Sequence, residues 1–242
     1  MMTLSSRLQM IADEIKHGET MADIGTDHGF LPSYLVKQGI CPKVILTDIS
    51  HRSLQKSMNN VGEGSAFDFR LGDGISVLEI GEVDIVTIAG MGGILMSQIL
   101  GADEGKAKSF KKYILQPRNN QSRLRYWLAA NEFVIEKELL VREGKYICEI
   151  LVASPFDSRK CFSQITVSEM TIAEPEFEVP EAIFAQNTLL ALEFVQNKLR
   201  NEKRILKSVR FGKVVDMEKV RISEKKITHL EKLLQKYAGT CG

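Results

Sequence analysis

The sequence predicts an α/β fold with a mostly parallel, seven-stranded sheet, followed by a C-terminal α-helical hairpin. Up to Ser154, short continuous apolar runs alternate with longer amphipathic segments, a pattern typical of strands covered by helices on both faces. Two apolar runs that meet near "REGK" predict an antiparallel pair at the end of this region. Beyond Pro180, apolar residues recur at helical spacing, which predicts a separate helical element.

The individual elements follow from apolar spacing and from capping residues. Predicted helices cover 4–16, 31–39, 50–62, the stretch "ILMSQIL" and 121–132, and predicted strands cover 20–25, 43–49, 66–74, 83–93, 112–117 and two segments within 133–154. Ser50 is a predicted N-cap because its hydroxyl can accept from a first-turn N–H group. Gly39 is a predicted helix stop, because glycine favours the position after a helix.

The C-terminal third divides into a connector and a helical pair. The segment from Ser154 to Pro180 contains the acidic, proline-bearing "EPEFEVPE" and is predicted to be a connector. Apolar stripes from Leu189 to Val209 and from Val220 to Leu233 predict two helices, with Gly212 at the corner and coiled-coil-like packing. We divide the chain into a cofactor-binding catalytic domain (1–160), a connector (161–184) and a basic hairpin that binds the substrate (185–242).

Composition limits the class of protein. The chain of 242 residues is 44% hydrophobic and 26% charged, and no apolar run of about 18 residues predicts a membrane span. The N-terminus lacks the apolar block of a signal peptide, so we expect a cytoplasmic protein that does not bind a membrane. The four cysteines show no CxxC spacing, and we expect no metal.

Charge is unevenly distributed. From Ala185 onward, 13 Lys and Arg stand against 6 Asp and Glu, whereas the first 184 residues carry 19 against 25. This asymmetry favours a polyanionic partner, although the same cations could simply solvate a helical pair. A second set of cations is predicted to border the active-site edge: Lys106, Lys108, Lys111, Lys112, Arg118, Arg123 and Arg125.

Carboxylates and glycines follow three successive predicted strands, where a parallel sheet binds its ligand. Asp23 and Gly25 end the first strand, and the missing Cβ would let a ligand approach the backbone. Asp48 ends the second strand, where a carboxylate accepts hydrogen bonds from ribose hydroxyls. Asp73 ends the third and can accept from the exocyclic amine of an adenine, while Gly74 leaves room for the ring. Together these residues predict a nucleoside-cofactor site.

The first loop favours a sulfonium cofactor over a dinucleotide. A pyrophosphate requires several glycines and helix N–H groups, whereas "GTDHGF" contains Asp27, a poor neighbour for two phosphates. A cationic sulfonium tolerates nearby carboxylates. Five parallel strands followed by a reversed strand are also the arrangement expected of a Rossmann-like class I methyltransferase, so we predict S-adenosylmethionine as cofactor.

The ends of the fourth and fifth strands supply further candidate residues. "IAGMGG" would let a flat base approach the backbone, or would form a tight strand-to-helix turn. "LQPRNN" supplies Gln116 and Asn119 as hydrogen-bonding partners beside Pro117, or as cap and turn residues.

These motifs resemble a known family. "LSSRL", "ADIGTDHGFLP", "TDIS", "GDG", "IAGMGG" and "LQP", in this order and followed by a helical hairpin, are similar to the bacterial tRNA (adenine-22-N1)-methyltransferase family, over residues Leu4 to Ala153. The resemblance implies methyl transfer from S-adenosylmethionine to N1 of an adenine in the tRNA core. It also implies that Asp27 is the active-site carboxylate and Phe30 the aromatic residue, where family members commonly have Tyr.

The predicted site therefore has three sets of residues. The catalytic set is Asp27, His28, Phe30, Met91 and Gly92; the cofactor-binding set is Arg7, Asp23, Gly25, Asp48, Ile49, Asp73, Gly74, Ala89 and Gly90; and the tRNA-binding set is Gln116, Pro117, Arg118, Asn119, Lys203, Arg204, Lys207 and Arg210. Two alternatives stay open: a non-catalytic RNA-binding protein with a methyltransferase-like fold, and a methyltransferase acting on a small molecule or a protein. We expect a monomer, with a homodimer as the alternative.

Overall fold

The computed structural model describes residues 3–62, 64–156, 174–212 and 215–239. Its helices are α1 (Ser6–Asp13), α2 (Phe30–Lys37), α3 (His51–Val61), α4 (Gly93–Gly101), α5 (Glu104–Ala107), α6 (Gln121–Ala130), α7 (Pro175–Glu178), α8 (Thr188–Arg210) and α9 (Met217–Ala238). Its strands are β1 (Met21–Ile24), β2 (Val44–Asp48), β3 (Phe67–Leu71), β4 (Ile85–Met91), β5 (Lys112–Pro117), β6 (Phe133–Glu143) and β7 (Tyr146–Pro155). Short 3-10 helices cover Gly74–Val77 and Glu181–Ala185.

The sheet has seven strands in the order β3-β2-β1-β4-β5-β7-β6. Strands β1 to β5 pair in parallel, and β7 pairs antiparallel with both β5 and β6. The strand order reverses between β1 and β4, and a ligand crevice is expected at the carboxyl ends of these two strands. The predicted fold class is confirmed.

Local signals set most of the helix ends. The Ser50 side chain accepts from the Ser53 N–H group as predicted, and Gly39 adopts a φ of 67° just after α2. The predicted first helix was too long, because Ser5 caps α1 at its start and the helix ends at Asp13. The short helix α5 was not predicted.

Both faces of the sheet are buried. One apolar cluster packs α4 and α6 on one face, and a second packs α1 and α2 on the other. The strands in the middle of the sheet are therefore apolar on both sides, and their carboxyl ends are the places where polar side chains reach solvent.

A third apolar cluster joins the C-terminal hairpin to the edge of the sheet. Val179, Ile183 and Phe184 are buried against α8, α9 and Leu140 of β6. The part of the predicted connector that is described, from residue 174, is thus packed secondary structure. Residues 161–173 of the predicted connector and Lys213 beside the predicted corner lie outside the described residues, and coiled-coil packing of the two helices stays a prediction.

Arg125 differs from its predicted role as a surface cation. Its side chain is 2% exposed, and its guanidinium donates to Glu138 at 2.8 Å and to Glu149 at 2.7 Å. It also donates to the Phe177 carbonyl of α7 at 3.1 Å. Arg125 lies on the buried face of α6. Its hydrogen bonds connect α6 with strands β6 and β7 and with helix α7, which packs beside the hairpin.

Candidate active site

A cavity of about 540 Å³ lies at the switch point between β1 and β4. It is lined by most of the predicted catalytic and cofactor-binding residues: Arg7, Asp23, Gly25, Asp27, His28, Phe30, Asp48, Ile49, Asp73, Gly74, Ala89, Gly90 and Met91. A volume of this size is typical of cavities that bind cofactors and other small molecules. The residues come from the carboxyl ends of β1, β2 and β4, from the loop after β3, and from α1.

Asp23 is the buried acid of this cavity. Its position in β1, between β2 and β4, leaves the side chain only 7% exposed. Burial raises the pKa of the Asp23 carboxyl to about 6, and the neighbouring Asp48 carboxylate adds to the rise. A buried carboxylate of this kind is stabilised by a cationic ligand, which restores the interaction that the charge lost on leaving water.

Two further acids line the floor of the cavity. The Asp48 carboxylate accepts the Ser50 N–H group at 2.8 Å and is only partly exposed at the end of β2. Asp73 lies two residues beyond the end of β3, as the N-cap of a 3-10 helix. The following Gly74 has a φ of 56°, and a Cβ there would lie 2.7 Å from Ile99 Cγ2, so both backbone conformation and space require glycine.

Asp27 is held by its neighbours in the loop before α2. It adopts a φ of 44°, a region that Asp enters more readily than most residues. His28 Nδ1 lies 2.6 Å from one carboxylate oxygen, and Lys56 Nζ donates to the other at 3.1 Å. Partial burial alone would raise the pKa of Asp27, but these hydrogen bonds from Lys56 and His28 lower it, so the side chain is a carboxylate at neutral pH.

The aromatic part of the loop is formed by His28 and Phe30. Their rings stack with centroids 5.1 Å apart and planes inclined by 16°. Phe30 is 44% exposed although it is a large apolar residue. An exposed aromatic at the entrance of a cavity can stack on a planar ligand.

The glycines of "IAGMGG" divide into two kinds. Gly90 has a φ of 79°, lies at an irregularity in the β4–β5 register, and a Cβ there would meet open space. Gly92 and Gly93 instead pack against the loop after β5, where a Cβ would lie 2.7 Å from Asn119 Oδ1 and 2.3 Å from the Asn120 carbonyl, respectively. The backbone at Gly90 is therefore open to a ligand, whereas Gly92 packs closely against Asn119, where the loop after β4 meets the loop after β5.

Gln116, which is predicted to contact the substrate, is hydrogen-bonded to other protein groups. Its side-chain oxygen accepts from the Gly90 N–H group and from Arg7 Nη1, both at 3.1 Å, and its amide nitrogen donates to the Pro117 carbonyl. Arg7 is further held by Glu143, whose carboxylate accepts from the Arg7 backbone N–H at 2.9 Å. Gln116 thus holds Arg7 and Gly90, which both line the cavity, while its contact with the substrate stays a prediction.

The predicted tRNA-binding residues do not form one site. Arg118 lines the cavity, and Pro117 lines a second cleft beside it. The predicted hairpin cations lie on α8 and line neither of these cavities; Lys203 and Arg210 are paired with Glu231 and Glu224 of α9.

Three cations of the second predicted set are also placed differently. Lys111 and Lys112 lie at the amino end of β5, opposite the cavity, and pair with Asp84 and Glu19. Lys108 pairs with Glu132. Sequence reasoning missed Lys56, because nothing in the spacing of α3 shows that this lysine reaches the loop after β1.

Among the described residues, no helix is long and apolar enough to cross a membrane. In the same part of the chain, no group of three or more His, Cys, Asp and Glu side chains is placed to hold a metal ion.

Fold and cavity together define a class of protein. Residues 4–151 match the family described as a methyltransferase domain. A Streptococcus agalactiae protein of the NADB-Rossmann superfamily is 32% identical and superposes with a TM-score of 0.82, covering 96% of this chain and 97% of that one. The chain is a Rossmann-like methyltransferase.

A narrower family follows from two further comparisons. The tRNA (adenine(22)-N(1))-methyltransferase of Bacillus subtilis is 33% identical over 198 residues, which cover 80% of this chain and 83% of the relative. The crystal structure of the B. subtilis m1A22 tRNA methyltransferase has a TM-score of 0.81 at 27% identity and covers 97% and 100% of the two chains. This chain belongs to the tRNA (adenine(22)-N(1))-methyltransferase family. A Streptococcus pneumoniae structure in complex with S-adenosyl-L-methionine has a TM-score of 0.78 at 25% identity and covers 96% and 100%.

Proposed function

We propose that this protein methylates N1 of adenosine 22 in tRNA, with S-adenosylmethionine as the methyl donor. The observation that carries the proposal is a cavity where Asp23, Asp48 and Asp73, at or just beyond the ends of three strands, meet Asp27, His28 and Phe30 from the loop after β1 and the start of α2. Membership of the family supplies the substrate and the position of the methyl group.

The residues of the cavity fit S-adenosylmethionine. Gly90 has a φ of 79° and open space where a Cβ would lie, so a ligand can approach its backbone closely, whereas at Gly25, with a φ of 74°, a Cβ would lie 2.1 Å from Met91 Cε, so the Met91 side chain packs against that backbone. Asp48 would hold the ribose and Asp73 the adenine, while Asp23 and Arg7 would hold the charged groups of the methionine part. When bound, this cofactor supplies an electrophilic methyl group on a sulfonium.

The loop before α2 supplies the chemistry for the base. Adenine N1 is unprotonated at neutral pH, so its lone pair needs no general base, and the ring becomes cationic when N1 is methylated. The Asp27 carboxylate lies where it could stabilise this developing charge or accept a hydrogen bond from the exocyclic amine. Phe30 would stack on the base once the base has left the tRNA core, a contact worth about 1–3 kcal/mol.

The hairpin would bind the phosphates of the tRNA. Arg200, Arg204 and Lys207 are exposed on α8 at spacings of four and three residues, which places them on one face of the helix. In the described part of the chain, none of the three is paired with a carboxylate, unlike Lys203 and Arg210. These cations would contact phosphates without reading bases.

The decisive experiment incubates the protein with an unmodified tRNA transcript and S-adenosylmethionine, digests the RNA and measures 1-methyladenosine by mass spectrometry. We expect 1-methyladenosine at position 22, and a transcript with guanosine at that position should accept no methyl group. Absence of the modified nucleoside across a full tRNA pool would reject the proposal. If the protein then bound tRNA without binding cofactor, the non-catalytic alternative would be correct.

A second experiment tests the hairpin. Arg204→Gln and Lys207→Gln should each weaken tRNA binding, because each removes a phosphate contact. Each should also lower the slope of log Kd against the logarithm of the salt concentration by about one. The matched control is Lys203→Gln, whose ammonium is 2.7 Å from the Glu231 carboxylate and should change the slope least. Unchanged methylation kinetics in both variants would favour a small-molecule or protein substrate. Monomeric state and cytoplasmic location stay predictions.

A further inference from the structure

A second cleft, of about 600 Å³, opens beside the cofactor cavity. The two share Arg7, Gly90 and Arg118 as a common rim. The new cleft lies between the carboxyl end of β5 and the start of β7. Because β7 runs antiparallel to β5, this end of β7 belongs to the same edge of the sheet as the cofactor cavity.

The polar side chains of this cleft divide into engaged and free groups. Arg7, Gln116, Glu143 and Glu149 are all held by other protein groups. Arg118, Gln121 and Tyr146 have no side-chain hydrogen bond or ion pair within the part of the chain that the structure describes. The cleft therefore offers a guanidinium, an amide and a phenol ring to a ligand, while both of its carboxylates are already neutralised.

Tyr146 is unusual for an aromatic residue. It is 65% exposed at the first position of β7, and Lys145 Nζ lies 5.3 Å from the centroid of its ring. Folding gains little from a tyrosine so exposed. A ring beside a cation is well suited to stack on a nucleobase whose phosphate the cation meets.

We propose that the second cleft binds a nucleotide adjacent to the target adenosine in the RNA chain. Tyr146 stacks on its base, Gln121 donates to or accepts from the base edge, and Arg118 meets the phosphate between the two nucleotides. Arg118 suits this task because it borders both cavities. The inference rests on the proposed function, since the target base itself must reach Asp27 and Phe30 across the shared rim.

The test begins with Tyr146→Ala in the full-length protein. Loss of one stacked base should raise the KM for tRNA roughly 5- to 150-fold and leave the KM for S-adenosylmethionine unchanged. Tyr146→Trp should restore the KM, because stacking needs the ring and not the hydroxyl. Ile80→Ala is the control, since Ile80 is 75% exposed on the loop before β4 at the opposite end of the strands. An unchanged KM for tRNA in Tyr146→Ala would overturn the inference.

A second measurement identifies the nucleotide. Transcripts that carry an abasic ribose on the 5′ or the 3′ side of the target adenosine should each be assayed with wild type and with Tyr146→Ala. On one side, the abasic ribose should raise the KM of wild type and should not raise that of the variant further, because both changes remove the same contact. Fully additive effects on both sides would reject the assignment. If wild type does not methylate the intact transcript, the proposed function itself has failed.

Discussion

Replacing Asp23 with Asn should separate the stability of the protein from its ability to bind cofactor. Burial raises the pKa of this carboxyl from its ordinary value of 3.8 to about 6. A group whose pKa is higher in the folded state stabilises the fold when protonated, and this contribution is lost as the pH rises through the folded-state pKa. Compared with a carboxyl of ordinary pKa, this raised pKa lowers the unfolding free energy by about 1 kcal/mol at pH 4.5, where the folded group is still mostly protonated, and by about 3 kcal/mol at pH 8, where it is ionised.

Asn keeps the shape of the side chain and cannot ionise, so Asp23→Asn should be more stable than wild type by up to those amounts. Urea unfolding at pH 4.5 and at pH 8 measures the difference, and calorimetry with S-adenosylmethionine should show that the variant has lost affinity. Asp48→Asn is the comparison: its carboxylate is partly solvated and accepts the Ser50 N–H group, so that variant should lose affinity and gain much less stability at pH 8 than Asp23→Asn, because the Asp48 charge only adds to the rise of the Asp23 pKa. The reasoning is refuted if Asp23→Asn unfolds with the same pH dependence as wild type.

Two other variants test the electrostatics of the fold. Lys56→Met removes a hydrogen bond that lowers the pKa of Asp27, so the acid limb of the plot of kcat against pH should move to higher pH. The control is Lys37→Met, on the exposed side of α2, which should leave the acid limb in place. A profile that does not move would exclude Asp27 from turnover. Arg125→Met removes the ion-pair partner of the buried Glu138 and leaves Glu149 with Lys198, 3.9 Å away, so it should lower the unfolding free energy by about 3–5 kcal/mol, whereas its neighbour Arg123→Met, which is exposed, should cost little. Equal effects of these two substitutions in urea unfolding would contradict the buried network.

The strand-end residues were predictable because they depend on local order. Asp23, Gly25 and Asp48 end strands of a parallel sheet, and parallel strands bring their carboxyl ends to one edge whatever the details of packing. The same holds for Asp27, His28 and Phe30, which follow β1 directly. The placements that failed were those of Arg125, Lys111 and Lys112, because each finds its ion-pair partners on other elements, distant in sequence. A contact of Gln116 with the substrate stays a prediction.

The sequence by itself determined the order of strands and helices, the edge of the sheet where the cofactor cavity lies, and the excess of cations in the C-terminal helices. These features follow from the spacing of apolar residues, from the turn residues and from the distribution of charge. Only the tertiary structure decided which polar groups are already satisfied. It engages Gln116 with Gly90, buries Arg125 between two carboxylates and pairs Lys203 with Glu231, while it leaves Tyr146 exposed. Hydrogen bonds and ion pairs act over a few ångströms, so the groups left free for a ligand are known only when the chain is folded.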